Sequence, residues 1–273
     1  MILVKEPVIN LKSTKSQSSD YTWHWHFWQD LPYLTCNLLD DWKHGFFTRS
    51  FAGISPTDLS KILSPNAEVY RLKQIHGNIV FTTTEISQNQ TDNLLEGDGI
   101  VNTGKNESIW VASADCNPVL IGDSATGKVA AIHAGWRGTS IKIIPATIKR
   151  LLAQGSKLEN LKIAIGPAIS GEVYQVDEEV AIKVCNSISS FHTISGIINS
   201  LSDFSPIPIL PDEMPGKVRL DVRKVNEIQL YQLGIKPDQI AISPHCTFLQ
   251  SQYFFSYRRS QEKQIQWSGI IDN

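Results

Sequence analysis

The stretch AIHAGWRGT at residues 131–139 gives the clearest structural signal in this 273-residue chain. Residues 129–132 are all apolar and predict a buried strand that delivers His133 at its C-terminal end. Gly135 and Gly138 then allow the backbone to turn tightly. Apolar residues follow at helical spacing: Ile141, Ile144, Ile148, Leu151 and Leu152. The stretch therefore predicts a strand, a turn and a helix, with a histidine beside the helix N-terminus, where anions are favoured.

Two further segments, QIHG at residues 74–77 and ADCNP at residues 114–118, each place a metal-binding side chain beside glycine or proline. His76, Cys116 and His133 together form a three-ligand set that suits a catalytic metal, because a fourth position stays free for water or substrate. Their separation in sequence is too wide for a zinc finger or ribbon. Two ordinary histidines and a buried thiol therefore remain the alternative at this point.

Four more segments complete a recognisable series: HGFFTR at 44–49, IGPAI at 165–169, CT at 246–247 and FFSYRR at 254–259. In this order, and together with the three segments above, they resemble the YfiH-type family, also called the polyphenol oxidase or laccase-domain family. The resemblance extends from about residue 40 to the end of the chain. It implies an α+β fold of the layered α/β/β/α kind, in which mixed β-sheets pack between helices.

The resemblance also implies a function. It assigns zinc to His76, Cys116 and His133, with copper as a competing ion. It implies phosphorolysis of adenosine, inosine and methylthioadenosine, together with deamination of adenosine. The expected partners are therefore a purine nucleoside and phosphate.

The metal-bound water of a deaminase needs a general acid or base, and two aspartates are candidates. Asp115 precedes the Cys116 ligand directly, while Asp98 lies in the segment EGDG. Asp115 has an alternative role, in which it caps a turn or orients a histidine ligand. Phosphorolysis instead requires cations that hold phosphate, and Arg137 is the strongest candidate because it follows a ligand segment.

Further substrate contacts are expected from residues inside the family-like segments: Arg49, Gln74, Trp136, Arg258 and Arg259. Arginine binds phosphate bidentately, although a surface salt bridge is the ordinary role for each of these arginines. Trp136 offers an aromatic face for a purine. It is equally consistent with a core residue that closes the floor of the site.

Three other kinds of protein remain to be compared with this interpretation. A copper-dependent, laccase-like polyphenol oxidase needs several coppers, but the chain has seven histidines and no His-Cys-His motif. A metal-free cysteine hydrolase of a peptidoglycan precursor would use Cys116 as nucleophile, with a histidine base and Asp115 to orient it. A binding module without turnover is the third. Two histidines in glycine-flanked segments favour the metal site, since a hydrolase needs only one.

Composition predicts a cytoplasmic protein. The net charge is −2 with no basic run, which argues against nucleic acid and membrane partners. The N-terminus lacks the pattern of a secretory signal. Four cysteines are too few for a disulfide framework, so Cys36, Cys185 and Cys246 are expected to be buried free thiols. The predicted assembly is a monomer or a weak homo-oligomer.

The chain is predicted to form a loose arm over residues 1–20 and one catalytic domain over residues 21–273. Residues 196–216 contain four prolines and are expected to be a long loop or an insertion. His24 and His26 alternate with tryptophans, so an amphipathic edge strand is favoured over a metal pair.

Two residues depart from the family-like pattern. Pro145 should kink or delay the helix after residue 139. Asn117 stands where an apolar residue is expected. Its side chain could bond to Asp115 or to substrate, but a turn-forming role is sufficient to explain it.

Overall fold

The computed structural model describes residues 21–91, 93–202, 204 and 207–272. The arm predicted for residues 1–20 lies outside this part of the chain. The described residues form fifteen strands: β1 Trp23–Trp28, β2 Leu31–Cys36, β3 Lys43–Phe47, β4 Glu68–Arg71, β5 Val80–Thr82, β6 Gly99–Val101, β7 Glu107–Ser113, β8 Asn117–Asp123, β9 Val129–Ala134, β10 Leu161–Ile165, β11 Gln175–Asp177, β12 Ile209–Pro211, β13 Lys217–Leu220, β14 Ile240–Ile242 and β15 Gln266–Ile271.

The same residues form eight α-helices: α1 Pro56–Leu63, α2 Thr83–Ser87, α3 Trp136–Ser140, α4 Ile143–Ala153, α5 Glu178–Cys185, α6 Ile194–Ser200, α7 Val222–Gln232 and α8 Tyr257–Ser260. Short 3-10 helices lie at Asn37–Leu39, Arg49–Phe51, Leu158–Asn160 and Pro237–Gln239. No helix in the described ranges is long and apolar enough to cross a membrane.

Two six-stranded sheets form the centre of the molecule, in the orders β1-β2-β3-β15-β7-β4 and β14-β10-β8-β9-β6-β5. Side chains alternate across β8, as a pleated strand requires. Leu120 packs with Ile109 in the core between the sheets. Val119 and Ile121 point the other way and pack in a second core with residues of α4 and α7.

Helix α1 covers the outer face of the first sheet, where Leu59 packs with Phe47 and Trp110. The layers therefore run from α1 through the two sheets to α4 and α7. This is the predicted α/β/β/α arrangement, and the fold prediction is confirmed.

A third sheet, in the order β11-β13-β12, forms its own core with α5, α6 and α7. The prediction of a long loop is wrong for part of residues 196–216, because the end of α6 and all of β12 lie within that range. Thr193 begins α6 by accepting a hydrogen bond from the backbone N–H of Gly196, and Ile197 is fully buried. Pro211 is tolerated because β12 is an edge strand.

The strand, turn and helix predicted for residues 129–152 are present, but the helical part is divided. Lys142 adopts a left-handed conformation, with φ 64°, between α3 and α4. Pro145 then lies in the first turn of α4, where a missing N–H costs no helical hydrogen bond. Pro145 thus delays the helix, as expected. Ile141 and Leu152 are exposed, so the buried face of α4 is narrower than the sequence suggested.

Two other local predictions are confirmed. β1 is an edge strand on which His24 and His26 are both exposed. Cys36, Cys185 and Cys246 are buried and unbridged.

Candidate active site

The three predicted ligands meet at the ends of β8 and β9. These strands pair antiparallel with Pro118 opposite His133, which brings Cys116 beside that histidine. His76 arrives from the loop after β4 in a left-handed conformation, with φ 60°. The ligand atoms of His76, Cys116 and His133 all lie within 4.8 Å of one another. Among the described residues this is the one group of histidine, cysteine and acidic side chains placed to hold a metal ion.

Two glycines let the ligand segments approach so closely. A Cβ atom on Gly135 would lie 2.7 Å from Cys116 Sγ and 3.2 Å from His76 Cδ2. A Cβ atom on Gly138 would lie 2.9 Å from the carbonyl oxygen of Gly77. The glycines predicted to allow a turn therefore also provide space for the ligands.

Asp98 organises the histidine side of the cluster. Its carboxylate accepts hydrogen bonds from the backbone N–H groups of Ile75, His76 and Gly77 at 3.2, 3.0 and 2.7 Å. The same carboxylate lies 2.8 Å from His133 Nδ1. Because Asp98 engages Nδ1, Nε2 is the nitrogen left to meet Cys116 or a metal ion.

The charged forms of Cys116 and His133 stabilise each other in this arrangement. Burial raises the pKa of Cys116, but the positive charge of His133 and hydrogen bonds from both histidines lower it to about 6. Burial lowers the pKa of His133, but the Cys116 charge and Asp98 raise it to about 9. Without metal, the two shifts favour the charged form of the pair, a thiolate beside an imidazolium, over the neutral form. One thiolate and two imidazoles are a donor set that suits zinc or copper.

A cavity of about 780 Å³ opens over the ligands. Its lining includes His76 and His133, and five more of the predicted site residues: Gln74, Asp115, Trp136, Arg137 and Arg258. Residues 261–265, which are all exposed, also line this cavity.

Two arginines are held over this cavity by aromatic rings. The Arg137 guanidinium lies 4.5 Å from the centroid of the Trp136 ring. The Arg258 guanidinium lies 4.7 Å from the centroid of Tyr174, and it donates a hydrogen bond of 2.6 Å to the carbonyl oxygen of Gln175. Arg137 is exposed and donates no side-chain hydrogen bond to a described residue, so its guanidinium is available to an anion.

Two predicted arginines do not line the cavity. Arg49 donates to the carbonyl oxygen of Ser251 at 2.7 Å and stacks on Phe255. Arg259 donates to three carbonyl oxygens, each at 2.7 Å: Thr247, Phe248 and Phe254. These guanidinium groups are engaged by the protein, and their substrate-binding role stays a prediction.

The Gln74 side chain is also engaged, although it lines the cavity. Its amide exchanges two hydrogen bonds of 2.7 Å with the backbone of Ala112 in β7. Gln74 thus fixes the loop that carries His76. A direct substrate contact by Gln74 stays a prediction.

Asp115 contacts the wall of the cavity. It accepts hydrogen bonds from Thr247 Oγ1 at 2.6 Å, Ser256 Oγ at 3.0 Å and the backbone N–H of Arg258 at 2.7 Å. The contact with a ligand histidine, one of the roles suggested for Asp115, belongs to Asp98. A role for Asp115 as general acid or base stays a prediction.

Tyr174 was missed by the sequence interpretation. It lies in no family-like segment, so no local signal identifies it. Burial and then the charge of Cys116 raise the pKa of Tyr174 to about 12. Its hydroxyl is therefore protonated at neutral pH and sits within electrostatic range of the ligand sulfur.

Comparison with known proteins places this geometry in context. A family model described as "Multi-copper polyphenol oxidoreductase laccase" matches residues 57–271. Purine nucleoside phosphorylase slr1573 of Synechocystis sp. is 47% identical over 92% of this chain and 98% of that protein. Adenosine deaminase RL5, from an unknown prokaryotic organism, is 31% identical over 60% of this chain and 58% of its own length.

The crystal structure of YfiH from Bacillus licheniformis has the same fold, with a TM-score of 0.72 and 23% identity over 88% of this chain and 96% of that one. The predicted family resemblance is confirmed.

Proposed function

This chain belongs to the family described as multi-copper polyphenol oxidoreductase laccase, and we propose that it is a zinc-dependent purine nucleoside phosphorylase that also deaminates adenosine. The relative at 47% identity, matched over 98% of its length, is named a purine nucleoside phosphorylase. The observation that carries the proposal is the meeting of the three-ligand cluster and two ring-supported arginines in one cavity.

The ligand cluster suits zinc because it offers borderline and soft donors and three of them leave a position free. When bound, zinc supplies a Lewis acid and lowers the pKa of a coordinated water toward neutrality. Copper would compete for the same donors by the usual order of affinities. Asp98 holds His133 in one tautomer and orientation, and the backbone of the His76 loop with it.

Arg137 and Arg258 are the proposed phosphate-binding residues. Phosphorolysis places phosphate against the ribose C1′ while positive charge develops on the sugar, so the phosphate must be held in a fixed orientation. Guanidinium groups do this with paired hydrogen bonds and do not lose their charge. Trp136 and Tyr174 restrict the two side chains, which reduces the entropy lost when phosphate binds.

The purine is proposed to lie along the apolar part of the cavity, between Leu72, Tyr257, Ile265 and Trp267. Trp136 is a less favourable stacking surface, because its ring already carries Arg137 and approaches Lys183 at 6.0 Å. We therefore assign Trp136 mainly to supporting Arg137.

Deamination is kept in the proposal because a relative over 60% of this chain is named an adenosine deaminase. The two reactions attack different atoms, C6 of the base and C1′ of the sugar, so they require two orientations of adenosine in one cavity.

Two other functional interpretations involve the same residues. A polyphenol oxidase that uses several coppers would need several ligand clusters, whereas the described ranges contain one. In a metal-free cysteine hydrolase, Cys116 would be the nucleophile and His133 the base. Asp98, which contacts His133, would be the carboxylate that orients the base.

The deciding experiment combines metal content of the purified protein with adenosine turnover, with and without phosphate. Wild type, Cys116→Ala and the buried control Cys185→Ala are compared. We expect stoichiometric zinc in wild type and control, with adenine and ribose 1-phosphate formed when phosphate is present and inosine when it is absent. Cys116→Ala should lose both zinc and turnover. Full turnover by metal-free wild-type protein would overturn the proposal and identify Cys116 as a nucleophile.

A further inference from the structure

A second, smaller cavity of about 30 Å³ lies behind the Cys116 ligand. Its lining residues include Asn117, Ala134, Gly135 and Ile169. Asp115, Trp136 and Tyr174 line both this cavity and the main one, so they separate the two. A cavity of this volume accommodates one water molecule, provided that polar groups are present to bind it.

Asn117 supplies an unpaired polar group at this cavity. The residue begins β8 and is 1% exposed, and its side-chain Nδ2 is buried without an acceptor among the described residues. A buried donor without a partner costs roughly 1–3 kcal/mol. An apolar residue at this position would not have this cost. With asparagine, the cost is avoided only if Nδ2 finds an acceptor other than the surrounding side chains.

The groups that line the small cavity limit what can take part in a hydrogen bond with Asn117 Nδ2 or with a water molecule beside it. Both carboxylate oxygens of Asp115 already accept hydrogen bonds, from Thr247, Ser256 and the backbone of Arg258. Ala134 and Ile169 are apolar. Cys116 Sγ is the remaining group of the ligand cluster that borders the cavity, and a thiolate accepts hydrogen bonds.

We propose that this cavity binds one water molecule, which accepts a hydrogen bond from Asn117 Nδ2 and donates one to Cys116 Sγ. Asn117 is then a positioning residue for the metal-binding thiolate. A hydrogen bond to a ligand sulfur withdraws electron density from it and weakens its donation to the metal. The inference rests on Cys116 as a ligand in the proposed function, but not on which nucleoside reaction the enzyme performs.

The test uses crystal structures and the spectrum of the cobalt-substituted protein, for wild type and Asn117→Leu. Leucine has the same number and branching of side-chain heavy atoms as asparagine, with bulkier methyl groups and no donor. In wild type we expect electron density for a water within hydrogen-bonding distance of Asn117 Nδ2 and Cys116 Sγ. In Asn117→Leu that density should be lost, and the sulfur-to-cobalt charge-transfer band should move to longer wavelength because the sulfur is more electron-rich.

Asn226→Leu provides the matched control. Asn226 is also fully buried with an unpartnered Nδ2, but it does not line the cavity. Its variant should leave the charge-transfer band unchanged, which separates an effect on the sulfur from general destabilisation.

Two results would overturn the inference: a cavity empty of density in a wild-type structure that resolves other buried waters, or an unmoved band in Asn117→Leu. The wild-type structure decides the first point even if the variant does not fold. Neither readout requires turnover, so a failure of the proposed nucleoside chemistry would be recognised separately.

Discussion

Two buried aspartates, Asp98 and Asp115, organise opposite sides of the site in different ways. Their exposed fractions are 1% and 8%. Asp98 binds three backbone N–H groups of the His76 loop and the ring of His133. Asp115 instead binds Thr247, Ser256 and the backbone of Arg258, of which Arg258 lines the cavity. One carboxylate therefore holds the candidate ligands, and the other holds part of the surface that we expect to meet the substrate.

A residue that is next to a candidate ligand in the sequence is therefore not necessarily the residue that contacts a candidate ligand in the fold. Asp115 is adjacent to Cys116, yet its carboxylate turns toward residues more than a hundred positions later. Its backbone conformation, with φ 88°, permits this orientation. Asp98 is distant in sequence from both His76 and His133 but contacts the segments of both. Substitutions on the two sides should consequently separate metal affinity from substrate affinity.

The largest effect is expected from Gly135→Ala. The new methyl group would lie 2.7 Å from Cys116 Sγ, so the ligand must move. We expect metal affinity to fall by at least about 100-fold, the upper range for disturbed metal surroundings. Metal titration against a chelator measures this. Gly77→Ala is the control, because its methyl group would make contacts of 3.4 Å or more. Equal metal affinity in Gly135→Ala and wild type would contradict the assigned ligand geometry.

Asp98→Asn should have the next largest effect, and on metal affinity. The substitution removes the charge that His133 and three N–H groups share, so we expect a 10–100-fold loss. Competition with a chelator gives the affinity, and initial rates on the zinc-loaded protein give KM. A large rise in KM with unchanged metal affinity would assign Asp98 to the substrate side instead.

Asp115→Asn should reverse that pattern. Asparagine tolerates a positive φ, so the backbone can stay in place while the charge is lost. We expect KM for nucleoside and phosphate to rise about tenfold, since a charged hydrogen bond is worth roughly 1.5–3 kcal/mol. Metal affinity should remain within a factor of about three. The comparison between the two aspartates fails if Asp115→Asn loses metal as readily as Asp98→Asn.

Within the wall itself, Arg258 and Arg259 should differ although they are neighbours. Arg258 lines the cavity, so Arg258→Ala should raise KM for phosphate several-fold. Arg259 binds three carbonyl oxygens, so Arg259→Ala should lower the free energy of unfolding by about 2 kcal/mol. Steady-state kinetics and denaturant unfolding distinguish the two, and identical profiles would show that the wall acts as one unit.

The smallest effect on the site is expected from Asp221→Asn, since Asp221 lies outside the main cavity. Burial raises the pKa of Asp221, but Arg223 and backbone N–H groups lower it overall. Its contribution to stability is therefore present above the ordinary value of 3.8 and lost as the pH falls through the lowered pKa. The variant should lose roughly 1–3 kcal/mol at neutral pH and converge with wild type in acid, as measured by urea unfolding. A difference that persists in acid would exclude the charge as its cause.

Local patterns predicted a considerable part of the fold. The apolar run of residues 129–132 lies in β9, and most of the periodic residues that follow it lie in α4. They did not predict α6, which is short and precedes a proline-rich stretch. The layer order was implied by family resemblance and not by periodicity, because a period describes which face is buried but not what covers it.

The sequence by itself determined the candidate ligand set, since glycine, proline and strand ends surround His76, Cys116 and His133. It also determined where the backbone can turn. The tertiary structure alone decided that Asp98 serves the ligands and Asp115 the wall, that Arg258 faces the cavity while Arg259 is engaged, and that Tyr174 joins the site. These outcomes depend on hydrogen-bond partners up to 143 residues apart. Local sequence fixes which groups need partners, whereas the packing of the two sheets and the third core fixes which partners come within reach.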